Sequence, residues 1–172
     1  MPLCLVTSTD QTDDCLVAAA DKLGILAFHG SLNNVLDRAC EAAQFAKSDA
    51  FARLCGDRPF LPLQDMKRGL LLMQSSLDTH EPYDLITSQL PRPVPPALLT
   101  EIIRTDALLG CQQLAVRSDH YEHVTTLIYE NLSGYRVYPL RSRLQLIPPC
   151  ICLLIHSQIS MFSQGYLLSL RI

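Results

Sequence analysis

Leu3-Cys4-Leu5-Val6, closed by Thr7-Ser8-Thr9-Asp10, is an apolar run ended by small polar residues, and the pattern returns twice downstream. Ile25-Leu26-Ala27-Phe28 gives way to His29-Gly30-Ser31-Leu32-Asn33, and Ala50–Leu54 gives way to Cys55-Gly56-Asp57-Arg58-Pro59-Phe60. Helical periods fill the gaps. Thr12 or Asp13 can cap a helix to Leu23 that buries Leu16, Val17, Ala20 and Leu23, with Gly24 as its stop. Asn33 is a candidate N-cap for a second helix carrying Val35, Leu36, Ala39, Cys40, Ala43 and Ala46. Strand alternating with helix is the signature of an α/β fold with a mainly parallel sheet. The strands are continuously apolar, so helices should cover both faces of the sheet.

Outward from this unit, the spacing predicts a helix from Leu63 to about Ser75 and a strand over Tyr83–Thr87. Gln89–Pro96 is a loop holding four of the chain's prolines, which puts a break before the next element. Leu98, Leu99, Ile102 and Ile103 mark another helix, and His120–Glu130 one more. No internal repeat is visible.

The chain has 172 residues, about one ordinary domain. It is 48% hydrophobic and 18% charged, ample apolar material for a core, which excludes a disordered or collagen-like chain. A net charge of −3 without a basic block argues against nucleic-acid binding. Seven scattered cysteines with no C-x-x-C read as reduced, mostly buried thiols of a cytoplasmic protein. No targeting segment stands behind Met1. Leu144–Leu170 has no charge, but Pro148-Pro149 and several polar residues interrupt it, so no membrane span is expected. All 17 acidic residues lie in the first 130, and from Leu144 onward only Arg171 is charged. A division follows into a domain at 1–143 and an atypical apolar tail at 144–172. That tail buries deeply, pairs with another chain as in a homodimer, or is not the natural ending of the fold.

In a parallel α/β sheet, ligands sit beyond the carboxyl ends of the strands. Three loops occupy such places. Gly56-Asp57 is the sharpest, because glycine allows close backbone approach and the carboxylate sits at a strand end, where it can hold Mg²⁺ against a triphosphate. An Asp in a tight turn is the plain alternative. Thr7–Asp10 could offer hydroxyls and the Asp10 carboxylate to a ribose or phosphate, or be ordinary turn chemistry. Arg38 could reach a nucleotide or be an exposed helical arginine, and Glu122-His123 could do acid–base work or form a solvated helix face. No Walker loop, catalytic triad or zinc spacing is present.

Val6–Asp14, Phe28–Arg38, Arg53–Phe60 and Tyr121–Asn131 together resemble the cytidylyltransferases of the spore-coat-polysaccharide type, relatives of the acylneuraminate and ketodeoxyoctonate cytidylyltransferases. The resemblance covers about residues 4–140, with the four blocks in order. It implies a Rossmann-like, three-layer nucleotidyltransferase domain that transfers CMP from CTP to a sugar, typically acidic, releasing pyrophosphate with Mg²⁺. By that match Asp57 is the metal-binding, catalytic aspartate, with Gly56 beside it. Ser31 and Arg38 line the nucleotide pocket, Asp10 sits at the neighbouring strand end, and Glu122 and His123 belong to a block on the sugar side or with a structural role.

Two departures qualify the match. The family opens with a strand, a loop rich in Arg, Ser and Lys that grips the triphosphate, and a helix; nothing like it precedes Pro2. Near its end the family also carries a second metal-binding aspartate, whereas Ile155-His156-Ser157-Gln158-Ile159 holds no carboxylate. The resemblance therefore leaves three expectations. One is a cytidylyltransferase domain, one an inactive remnant or interaction module of that fold, and the third another nucleotide-sugar transferase.

Overall fold

A computed structural model of the chain describes residues 3–56, 62–91 and 98–142, together with the backbone of a strand at 167–170. The strands are β1 (Leu3–Ser8), β2 (Leu26–Gly30), β3 (Ala50–Arg53), β4 (Leu85–Thr87), β5 (Glu101–Arg104), β6 (Val137–Pro139) and β7 (Leu167–Leu170). The helices are α1 (Asp14–Lys22), α2 (Val35–Phe45), α3 (Leu63–Leu77), α4 (Thr105–Leu114), α5 (Ser118–Glu122) and α6 (Thr126–Glu130). Asp57 and its neighbours through Leu61, residues 92–97, and the tail apart from β7 lie outside the described residues.

The strands pair in the orders β2-β1-β7 and β3-β5-β4-β6. β1 and β2 are parallel, with Cys4 opposite Leu26 and Ser8 opposite Gly30. β5 runs antiparallel to both β3 and β4, so those two share a direction, and β6 is parallel to β4. β7 runs antiparallel to β1 and also lies against β3. The α/β expectation holds, with β5 and β7 as the reversed strands.

The expected cover on both faces is present. Phe51, Leu85 and Ile103 turn to one side, where they meet Leu36, Ala39 and Cys40 of α2, Leu108 and Cys111 of α4, and Ile128 of α6. Ala50, Ala52, Ile86 and Ile102 turn to the other, under Met66, Leu70 and Met73 of α3. Each fully buried Leu, Ile or Phe contributes roughly 1.5–3 kcal/mol, so these two layers carry most of the stability. Helix α3 comes close because Gly69 has no side chain; a Cβ there would sit 2.3 Å from Ile102 Cδ1.

Several sequence expectations need correction. The segment through Leu98, Leu99, Ile102 and Ile103 is not a helix; Glu101–Arg104 is strand β5, and the helix follows at Thr105. Ile102 and Ile103 are both fully buried on opposite faces, which a central strand satisfies and a one-sided helix does not. Thr7-Ser8 and His29-Gly30 extend β1 and β2 rather than forming loops. The strand expected over Tyr83–Thr87 begins at Leu85. His120–Glu130 is two short helices separated at His123-Val124-Thr125, not one. Asn34, not Asn33, caps α2, its side chain accepting from the N–H of Asp37. Leu23 is 74% exposed, because α1 already ends at Lys22.

Candidate active site

β1 is followed by α1 and β2, and α2 carries the chain back from the end of β2 to the start of β3. Parallel strands need such crossovers, and they leave the ends of β1, β2 and β3 along one edge of the molecule. There the first two exits are tied together: the N–H of Thr9 donates to the carbonyl of Gly30 at 2.9 Å. Asp10 and Ser31, each one residue further on, are therefore neighbours across this edge.

Asp10 turns to its own helix start. Its Oδ1 accepts from the Thr12 hydroxyl at 2.7 Å and the Thr12 N–H at 2.9 Å. Those two donors hold its carboxyl below the usual 3.8. Ser31 is exposed, and its Oγ accepts from the N–H of Asn34 at 3.0 Å.

The carboxylate that turns into the strand ends is Asp13, which the sequence offered only as a cap. Its Oδ2 accepts from the Thr7 hydroxyl at 2.6 Å, the Ser8 hydroxyl at 2.6 Å and the Ser8 N–H at 3.0 Å. Burial pushes this acid upward, but the Ser8 and Thr7 donors and the Arg38 charge outweigh it, so Asp13 stays below its ordinary value. The five- and six-residue spacing from Ser8 and Thr7 carries no local signal of this role.

Arg38 is not the exposed helical arginine of the plain reading. It is 6% exposed and packs over Gly30, where a Cβ would lie 2.7 Å from Arg38 Cγ. One terminal nitrogen donates to the Ser31 carbonyl at 2.9 Å. Its Nε is buried without a hydrogen-bond partner among the described residues. Burial draws the guanidinium pKa down, and the Asp13 charge works in the opposite sense.

Further along the same edge, Arg53 ends β3 and its neighbour across the ladder is Glu101, itself opposite Thr87 at the end of β4. Gly56 is exposed just beyond, at the mouth of the segment containing Asp57. Glu122 and His123 are also exposed, at the end of α5, immediately before the buried pair Val124-Thr125. Cys4 and Cys40 are buried thiols pushed up to about 11 and about 12 by desolvation, inert packing groups as expected.

Asp119, His120 and Glu130 place three ligand atoms within 4.8 Å of one another. Their chemistry is that of an ion-pair clasp rather than a metal site. Arg117 donates to both Asp119 and Glu130, filling the centre with a cation. The N–H of Val116 donates to His120 Nδ1 at 3.3 Å, so the ring proton is on Nε2, facing Glu130 Oε2 at 3.2 Å. A metal on Nε2 would force that proton to Nδ1, against the Val116 N–H.

The clasp has a pH signature. Arg117 holds Asp119 down to about 2 and Glu130 below its ordinary 4.5. Carboxylates held low stabilise the fold above their unfolded pKa and lose that contribution as pH falls through the folded one. Stability should therefore fall between about pH 4.5 and 2, and Arg117→Ala should return Asp119 to near 3.8 in a carboxyl NMR titration. Equal Asp119 titrations in both proteins would refute the clasp.

Among the described residues no helix is long and apolar enough to cross a membrane. No protein-family model matches the chain. It is 30% identical over 136 residues to the spore coat polysaccharide biosynthesis protein SpsF of Bacillus subtilis, an alignment covering 78% of this chain and 53% of that protein. An uncharacterized protein of Methanocaldococcus jannaschii is 28% identical over 137 residues, covering 79% of this chain and 53% of the other. The chain thus spans about half the length of the curated relatives it matches. A solved cytidylyltransferase from Leptospira borgpetersenii shares the fold, with a TM-score of 0.71 at 23% identity, over 81% of this chain and 58% of that one.

Proposed function

We propose, from the likeness to SpsF and to a solved cytidylyltransferase, that the carboxyl edge of this chain is the nucleotide platform of an enzyme transferring CMP from CTP to an acidic sugar, with release of pyrophosphate. One observation carries the reading. The separate blocks Thr7–Asp13, Gly30–Arg38 and Arg53–Gly56 come out along one strand-end edge, where α/β sheets bind their ligands.

In this reading the Thr9–Gly30 tie brings the Asp10 and Ser31 exits together as the wall of the nucleotide pocket. Arg38, fixed by Gly30 and the Ser31 carbonyl, supplies positive charge beneath it. Gly56 lets the backbone approach the phosphates, and Glu122 and His123 face the sugar. The edge is rich in oxygen donors of the hard type that Mg²⁺ takes, Asp13 among them, and Asp57 is the residue assigned to hold it. Bound there, Mg²⁺ would offset charge on the departing pyrophosphate. CTP as donor and the reduced thiols fit a cytoplasmic setting.

Competition separates this reading from its rivals. CTP with Mg²⁺ should displace a labelled cytidine nucleotide more effectively than UTP or GTP, and chelation should abolish binding. Equal displacement by all three points to another nucleotide-sugar transferase. No binding points to an inactive module.

A further inference from the structure

One buried charge at this edge has no part in the resemblance or in the reading above. Glu101, the first residue of β5, is 3% exposed. Its Oε2 accepts from Arg53 at 3.2 Å, at the exit of β3. Its Oε1 accepts from the Thr125 hydroxyl and the Tyr129 hydroxyl, each at 2.9 Å.

The hydrogen bonds beyond it have a fixed direction. Burial, then the Glu101 charge, raises the Tyr129 phenol well above its ordinary value, so Tyr129 keeps its proton and its O–H donates a hydrogen bond to Glu101. The 2.7 Å contact between Tyr129 and Thr87 must then have Thr87 as donor, and Thr87 Oγ1 in turn accepts from the N–H of Gln89 at 3.0 Å. A single carboxylate thus gathers three pieces of the edge. They are the exit of β3 at Arg53, the exit of β4 through Gln89, and the start of α6 two residues after His123.

We propose that Glu101 is a positioning residue of the nucleotidyl-transfer site, holding these three segments in one geometry through Arg53, Thr125 and Tyr129. The proposal rests on the nucleotidyltransferase reading. Its charge matters on one side only. A glutamine could still accept from Thr125 and Tyr129, but its amide N–H₂ would face the Arg53 guanidinium, donor against donor.

Two substitutions separate the two sides. In hydrogen–deuterium exchange on the full chain, Glu101→Gln should speed exchange at 54–56 at least tenfold and leave 3–30 unchanged. Tyr129→Phe should instead loosen 87–89 and 125–130. Glu101→Gln should also weaken Mg²⁺-dependent CTP binding at least fivefold. Unchanged or uniformly raised exchange overturns the proposal, and so does wild-type CTP affinity in Glu101→Gln. If the unaltered chain binds no CTP, the nucleotidyltransferase reading fails instead, and the exchange pattern alone then decides whether Glu101 ties the edge together.

Discussion

Asp13→Ala should lower the unfolding free energy by about 3–5 kcal/mol, the largest stability effect expected of any single polar residue at this edge. Asp13 accepts three hydrogen bonds on one oxygen, two from hydroxyls and one from a backbone N–H. Hydrogen bonds to a charged group contribute roughly 1.5–3 kcal/mol each, but three on one atom do not add fully. Alanine would leave the Thr7 and Ser8 donors buried without an acceptor. It would also remove the negative charge that opposes desolvation of Arg38. For a chain of this size the loss corresponds to a fall in Tm of roughly 6–20 °C. Because the two residues act on each other, Asp13→Ala combined with Arg38→Met should cost less than the sum of the two single changes. Urea unfolding of the four proteins decides it, and an Asp13→Ala variant within about 1 kcal/mol of wild type would contradict the role given to this carboxylate.

What could be read from the sequence follows how local each signal is. β1, β2 and β3 are apolar runs flanked by their own caps and stops, and they emerged within a residue or two. β5 misled because Leu98, Leu99, Ile102 and Ile103 match a helical face as well as a buried strand. Only pairing with β3 and β4, far away in sequence, selects the strand. The site shows the same division. Ser31 and Gly56 stand out in the sequence because they sit in loops with turn chemistry. Asp13 and Glu101 were passed over because their importance comes from partners brought by folding: Thr7 and Ser8 on the preceding strand for one, Arg53, Thr125 and Tyr129 for the other. A lone glutamate inside the apolar run Leu98–Ile103 was the available hint, since a charge there must be paired. Arg38 is a candidate in the sequence, but its burial leaves no such hint there, because it depends on Gly30 lacking a side chain.

The second large effect is on rate. The polypeptide of residues 1–172 should release pyrophosphate from CTP at about 10⁻³ s⁻¹ or slower, against a typical enzyme turnover of about 10 s⁻¹. Nucleotidyl transfer depends on positioning and charge stabilisation, with little covalent work for the protein. Within this chain no Arg-, Ser- and Lys-rich loop of the kind that grips a triphosphate occurs, and no acidic residue follows Glu130. Losing one preorganised electrostatic contact costs about 10²–10³ in rate, so two missing contacts account for at least about 10⁴. A pyrophosphate assay with CTP, Mg²⁺ and a panel of acidic sugars measures this directly. Turnover near 1 s⁻¹ would mean that other groups grip the triphosphate.

The nucleotide is expected at the carboxyl edge of the strands. The opposite edge of the sheet offers a rival, a cleft of about 580 Å³ lined by Lys47, Asp49, Asp78, Arg104 and Asp106. There Arg104 is already paired with Asp84 and Asp106. Amide NMR of the uniformly labelled chain, titrated with CTP and Mg²⁺, distinguishes the two edges in one experiment. Shifts should concentrate at Ser8, Thr9, Gly30, Ser31 and Gly56 and leave Asp49, Asp78 and Arg104 unmoved. Shifts confined to Lys47, Asp49, Asp78 and Arg104, or none anywhere, would contradict a nucleotide platform at the carboxyl edge.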